Sequence, residues 1–235
     1  MMIINATEVK NSFGKMLKLL DYEDIYVKKN GRVVAKIMRH TEKLDAEGLV
    51  KESFTQYESK DRKVSYEEFL KLASNSDKRY ELIDGEVYML SSPKVTHQSI
   101  VGILYGELYK QKITGCIPFI APYDIKLSVD EKINIVQPDL GIICNLMENI
   151  DDEDRYVGVP SLLIEVLSPS SISRDKVRKL NTYMLSGVKE YWIVDPRKER
   201  ADVYRFKDFE IDDYEEYERA KGIKSFLFNH IHVYW

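Results

Sequence analysis

The spacing of apolar and polar positions separates the chain into a short first stretch and a longer second one. In the first forty residues, Asn5-Ala6-Thr7 caps a helix on which Val9, Phe13, Met16, Leu17 and Leu20 recur at helical spacing. Ile25-Tyr26-Val27 and residues 33–38 then read as strands joined by Lys28-Lys29-Asn30-Gly31-Arg32. Asn-Gly tolerates positive φ at both turn positions, so the pattern predicts a hairpin. A helix and a hairpin bury little apolar surface. This small α+β unit, residues 1–40, is therefore expected to pair with a copy of itself or to dock on the rest of the chain. Residues 41–63 are polar and aperiodic and read as a linker.

From residue 64 the pattern changes. Ser65-x-x-Glu68 forms a capping box ahead of the helix SYEEFLKLA. Strands at Tyr80-Glu81-Leu82-Ile83 and Glu86-Val87-Tyr88-Met89-Leu90 flank Asp84-Gly85, a second type I′ turn signal. Ile100, Leu104 and Leu108 place a helix after His97. Residues 117–127 and 133–144 are β-rich, and 162–167 read as a buried strand. A helix over about 173–186 stops at Gly187. Tyr191-Trp192-Ile193-Val194, Val203-Tyr204 and the tail 226–235 are again strand-like. Strands interrupted by one crossover helix give an α/β domain with a mixed sheet flanked by helices over residues 64–235.

Composition narrows the picture only a little. With 44% hydrophobic and 31% charged residues there is enough for a packed core and a solvated surface. No apolar run reaches the roughly 18 residues of a membrane helix, and the first residues lack a secretion-signal pattern. Cys116 and Cys144 are far apart and form no CxxC pair, so neither a zinc ribbon nor a disulfide framework is indicated. A reducing, cytoplasmic setting is the resulting expectation. The net charge of −4 is not that of a dedicated nucleic-acid binder. Yet Arg174, Lys176, Arg178 and Lys179 cluster, and binding phosphates needs only a local basic lining. Residues 208–218, by contrast, are strongly acidic.

Two carboxylates stand out. Asp139 follows Gln137-Pro138 near a strand end, and Glu165 interrupts the apolar run Leu162-Leu163-Ile164-Glu165-Val166-Leu167. A buried carboxylate is costly unless paired or bound to a cation. Two on neighbouring strands suit Mg²⁺, which takes one or two carboxylates, with water and phosphate oxygens completing its shell. Equally, Asp139 could cap a turn and Glu165 could pair with Arg178 or Lys179. His230 and His232 share one face of a strand without a third ligand, so a zinc site is rejected. The motifs of the Ser-triad hydrolases, P-loop enzymes and dinucleotide-binding folds are absent from the sequence.

The stretch IEVLSPSSISRDKVRKLNTYMLSGVKEYWIVDP, with YELIDGEVYMLSSPKVTH and QPDL upstream, resembles the Uma-two family of restriction-endonuclease-like proteins in the PD-(D/E)XK nuclease superfamily. The resemblance spans about residues 65–235. It implies a restriction-endonuclease-like fold and a Mg²⁺-dependent endonuclease (Mn²⁺ as substitute) acting on nucleic acid, with DNA expected. Asp139 matches the motif's Asp and Glu165 its second acidic residue; the Val166 backbone carbonyl is implied as a further metal ligand. Leu167 stands where the superfamily has its Lys. In this family that Lys has moved to the next helix, where Lys179 matches it, sharing a helical stripe with Tyr183 beside a sheet-packing face of Val177, Leu180 and Met184. Without the resemblance, Lys179 would read as a surface lysine.

Glu81 matches a supporting acidic residue, against the alternative of a solvated hairpin edge. His97 matches a family histidine that could serve as base or phosphate contact, or could simply hydrogen-bond at a helix start. Arg174, Lys176 and Arg178 are the candidate nucleic-acid contacts. The segments NATEVKNSFGKMLKLL and VKKNGRVVAKIMRH resemble Phd/YefM antitoxins. That likeness implies a dimerising element presenting Lys10, Lys28, Lys29 and Arg32 to DNA, with a homodimer or higher homo-oligomer as the form of the protein. The rival expectation is a catalytically silent nuclease-fold binding module or antitoxin-like regulator.

Overall fold

The computed structural model describes residues 2–5, 25–29, 32–37, 63–152, 154–168, 171 and 174–235. It divides into two compact units, Met1–Ser59 and Lys60–Trp235. In the first unit, β1 (Met2–Asn5) runs parallel to β2 (Ile25–Lys29), which pairs antiparallel with β3 (Arg32–Ile37). The two strands read from the sequence pair as expected, and β1 adds a third. The expected helix, the Asn30-Gly31 turn and residues 41–62 of the linker lie outside the described residues.

The second unit opens with α1 (Tyr66–Ser74), and its Ser65–Glu68 capping box is formed in both directions. β4 (Tyr80–Ile83) and β5 (Glu86–Met89) make a hairpin whose turn residues have φ of 48° at Asp84 and 75° at Gly85, as the Asp-Gly signal requires. After α2 (Val95–Lys110) come β6 (Cys116–Ile120), β7 (Ile125–Val129), β8 (Lys132–Val136), β9 (Leu140–Cys144) and β10 (Leu162–Val166). A π-helical turn, Arg174–Lys179, runs directly into α3 (Leu180–Leu185). β11 (Glu190–Asp195), β12 (Arg200–Lys207) and β13 (Glu210–Glu218) follow, then the short pair β14 (Ile223–Lys224) and β15 (His232–Val233).

One sheet has the order β13-β12-β11-β10-β9-β6, and a second has the order β5-β4-β8-β7. In the larger sheet only β10 and β11 run parallel, and the π-turn with α3 lies on the connection between them. The two faces of β10 belong to different cores. Ile164 and Val166 join Ile100, Leu104, Leu108 and Trp192 beneath α2. Leu163 and Leu167 join Tyr183, Tyr191 and Ile193 beneath the π-turn and α3. By the two-residue period of a strand, Glu165 shares the second face.

The acidic run 208–218, to which the sequence assigns no element, holds β13, whose exposed acidic positions sit on a sheet edge that like charges protect from further pairing. Several expectations need correction. The tail holds only the two-residue strand β15 rather than a long strand. Cys116 and Cys144 face each other across β6 and β9 and form a disulfide, since register, which sequence separation does not reveal, sets them opposite. Cysteine usage therefore no longer argues for a reducing compartment. Finally, Val177 does not pack on the sheet and is 62% exposed. The π-turn holds more residues per turn than an α-helix, so it rotates Val177 outward and Asp175 and Lys179 inward.

Candidate active site

The junction between the sheets assembles the site. β8 ends at Val136, and Gln137-Pro138-Asp139 carries the chain to β9 in the other sheet. The Gln137 backbone N–H donates to Glu81 Oε1 at 2.9 Å. Asp139 Oδ2 accepts the Val166 backbone N–H at 2.8 Å and lies 3.1 Å from His97 Nε2. Leu140 pairs with Ile164, so continuing that register by one residue sets Asp139 beside Glu165 on neighbouring strands.

Lys179 is the hub. Its side chain is 1% exposed, and Nζ lies 2.7 Å from both Glu165 Oε1 and Glu81 Oε1, and 3.9 Å from Asp175 Oδ1. Tyr183, one helical repeat on, donates to the same Glu165 oxygen at 2.8 Å. The surface-lysine reading is thereby excluded, as is a solvated edge for Glu81, which is fully buried. The geometry also explains Leu167. That residue lies two positions after Glu165 on the same face and fills apolar core, while the covering π-turn delivers the ammonium from above.

Charge is unbalanced here. Glu81, Asp139, Glu165 and Asp175 face the fixed cations Lys179 and Arg174, whose Nε is 3.4 Å from Glu81 and 3.6 Å from Asp175. Burial pushes the Glu165 carboxyl well above the usual range, with Lys179 pulling it back. Asp175 is raised by burial as well, against Lys179 and Arg174. Burial disfavours charge on Lys179, but the attraction of Glu165 and Glu81 outweighs it and raises the group. Burial likewise opposes charge on His97, and its bond to Asp139 turns the balance upward. Glu81 Oε2, Asp175 Oδ1 and Arg174 Nε are buried without hydrogen-bond partners.

Four carboxylates grouped around two fixed cations leave the site short of positive charge, which suits a hard cation. Asp139, Glu165 and the Val166 carbonyl have the donor chemistry to hold one. Among the described residues, no group of three His, Cys, Asp or Glu side chains stands as a ready-made cation cage.

Not every sequence candidate comes together. Arg174 sits inside the carboxylate cluster, Lys176 pairs with Asp202 at 2.8 Å, and Arg178 pairs with Glu86 at 3.1 Å. Each of the three is thus paired with a carboxylate of the chain, Lys176 and Arg178 in partly exposed pairs. Conversely, sequence reasoning missed Asp175. Its signal was weak, because an Asp among Arg174, Lys176 and Arg178 looks solvated.

A family model described as "Uma2: Putative restriction endonuclease" matches residues 66–225. Two uncharacterised Synechocystis proteins are similar. Protein slr1290 is 24% identical over 147 residues, 62% of this chain and 76% of its own. Protein sll1609 is 26% identical over 139 residues, 59% and 78% respectively. A solved structure titled as a "putative nuclease belonging to DUF820" from Anabaena variabilis superposes with a TM-score of 0.58 at 17% identity, over 73% of this chain and 94% of that one. That likeness shows the fold, a mixed α/β architecture of the restriction-endonuclease-like nuclease type. The antitoxin-like resemblance of the first forty residues finds no support in these matches. No helix among the described residues is long and apolar enough to cross a membrane.

Proposed function

The chain belongs to the Uma2 family, and from that premise we propose that it is a divalent-cation-dependent phosphodiesterase that hydrolyses DNA. The observation that carries this reading is the placement of Lys179, a buried ammonium held by Glu165 and Glu81 on the sheet face that Asp139 borders. Asp139, Glu165 and the Val166 carbonyl would hold the cation, Mg²⁺ or Mn²⁺. When bound, such a cation polarises the phosphate and lowers the pKa of a coordinated water.

The chain's own groups do the rest. Lys179 is surrounded by carboxylates and acts as a charged donor, orienting the attacking water and stabilising charge that develops on the phosphate oxygens. Tyr183 and Lys179 together fix one oxygen of Glu165 and leave its other oxygen as the one for the cation. Glu81 holds Lys179 in place from the second sheet, its own carboxylate fixed by the Gln137 backbone. Asp175 and Arg174 complete the ring of charge around the ammonium.

The silent-module reading rested on Leu167. An ammonium supplied to the same face by Lys179 supports the enzyme reading over it. Self-association through residues 1–40 and a cytoplasmic location remain part of the reading. The test is incubation of the full chain with supercoiled plasmid, single-stranded DNA and RNA under Mg²⁺, Mn²⁺ or EDTA. Cation-dependent cleavage of DNA is expected; a protein inert on all three with either cation would overturn the reading.

A further inference from the structure

We propose that Arg79, Lys94, Arg197 and Lys198 form a basic rim around the mouth of the site and hold the sugar–phosphate backbone of duplex DNA there. The inference rests on the reading of the site given above and adds to it the surface that takes the substrate.

The mouth is where the carboxylate cluster meets solvent. The side chains of Asp139 and His97 are 20% and 14% exposed, whereas Lys179 and Glu81 behind them are closed off. Three pieces of chain converge on it. Val166, whose N–H Asp139 accepts, ends β10 and pairs with Val194 of the parallel strand β11. Asp195 follows at the same sheet end and opens the turn to β12 that carries Arg197 and Lys198. Its Oδ1 accepts the backbone N–H groups of both, at 3.1 and 3.2 Å, which holds the turn in place. Lys94 immediately precedes α2, in which His97 occupies the first turn. Leu82 of β4 pairs with Ile135 of β8, and continuing that register sets Arg79 beside Gln137-Pro138-Asp139.

Pairing separates these four cations from their neighbours. Beyond the turn, Arg200 pairs with Glu216 at 2.9 Å, Arg219 with Glu199 at 3.3 Å and Lys221 with Glu218 at 3.5 Å. Lys176 and Arg178 are paired as well. Among the described residues, Arg79, Lys94, Arg197 and Lys198 have no carboxylate at ion-pair distance; the last three are exposed and Arg79 is half-buried. An unpaired surface cation can neutralise a phosphate and release its counterion. The rim also meets an electrostatic need. Carboxylates outnumber fixed cations inside the mouth, and the whole chain carries −4, so a phosphodiester is repelled unless positive charge stands at the entrance. Duplex rather than single-stranded DNA follows from the lack of stacking platforms, on which single strands depend. The exposed aromatic residues among the described ones, Tyr109, Phe209, Tyr214 and Tyr234, lie in other segments.

The experiment is anisotropy titration of a short labelled DNA duplex with the full chain in EDTA, from roughly 50 to 200 mM salt. Wild type is compared with Arg79→Gln, Lys94→Gln, Arg197→Gln, Lys198→Gln and the variant combining all four, each checked by its thermal transition. On duplex DNA each neutralised phosphate contributes about 0.9 to the slope of log affinity against log salt. Each single variant should therefore flatten the slope by about 1 and the combined variant by about 3–4, equally on duplexes of unrelated sequence. Lys176→Gln and Arg178→Gln should leave the slope close to wild type. An equal flattening by these two would show that overall charge governs binding, and would overturn the rim. A wild type that binds duplex, with the combined variant matching its slope, also overturns the rim and leaves the reading of the site intact. A wild type that binds no duplex at the lowest salt overturns both the rim and DNA as the substrate. If Arg79→Gln fails to fold, the three exposed positions decide.

Discussion

Replacing Lys179 with Met keeps most of the stem's volume and deletes the ammonium that Glu165 and Glu81 share at 2.7 Å. Among the described residues, three buried carboxylates, Glu81, Glu165 and Asp175, then have only Arg174 nearby as a fixed cation. Removing one partner of a buried ion pair costs about 3–5 kcal/mol, because a charge is left uncompensated in a poorly solvated place. In a unit of this size each 1 kcal/mol moves the melting temperature by roughly 2–4 °C, so Lys179→Met should melt roughly 6–20 °C lower. The sign with pH follows from Glu165 and Asp175, whose carboxyls burial already raises. Without the ammonium they rise further, and a group raised in the folded state loses its stabilising contribution as pH climbs through that value. The deficit should thus be largest near pH 8 and shrink toward pH 5. Urea and thermal unfolding at both pH values measure it. A variant within about 0.5 kcal/mol of wild type at pH 8, the range of a surface substitution, would refute the buried counter-ion argument. DNA cleavage by the folded variant should fall by about 10²–10⁴.

Other consequences are independent of that one. Crystals soaked in Mn²⁺ should show an anomalous peak roughly 2.0–2.3 Å from the Asp139 and Glu165 carboxylates; carboxylates diverging from any peak would remove the site. Glu190, buried in β11, accepts from Trp192 Nε1, Ser225 Oγ and the Leu227 N–H. Glu190→Gln turns an amide donor toward at least one of these donors and should cost about 1–3 kcal/mol at pH 7. Burial raises Glu190, so its contribution is full below the unfolded carboxyl pKa and falls as pH rises. The variant should therefore show a flatter dependence of melting temperature on pH above about 4.5. Removing residues 1–59, a separate compact unit, should leave a folded remainder with reduced self-association in sedimentation; a full chain that stays monomeric at high concentration would count against the dimer.

Much of the architecture is legible wherever a local rule fixes geometry. The Ser65 box, the Asp84-Gly85 turn and the α2 stripe of Ile100, Leu104 and Leu108 all follow from spacing and φ preferences. Glu165 is visible because a carboxylate in an apolar run demands a reason. What stays hidden depends on tertiary placement. A π-turn rewinds the phase of a helix, so an α-helical reading sends Val177 to the sheet and overlooks Asp175. Strand register joins Cys116 to Cys144 across 28 residues. Arg174 reads as a solvated cation until Glu81, distant in sequence, is brought beside it. For Lys179, spacing alone favours a surface lysine, and only the resemblance pointed inward.

The most direct test of the central claim is plasmid nicking under single-turnover conditions by wild type, Asp139→Asn and Glu165→Gln, each first verified as folded by its thermal transition. Hydrolysis at this site predicts cation-dependent nicking by wild type and a loss of about 10²-fold or more in each variant. Nicking by either variant at the wild-type rate would contradict it.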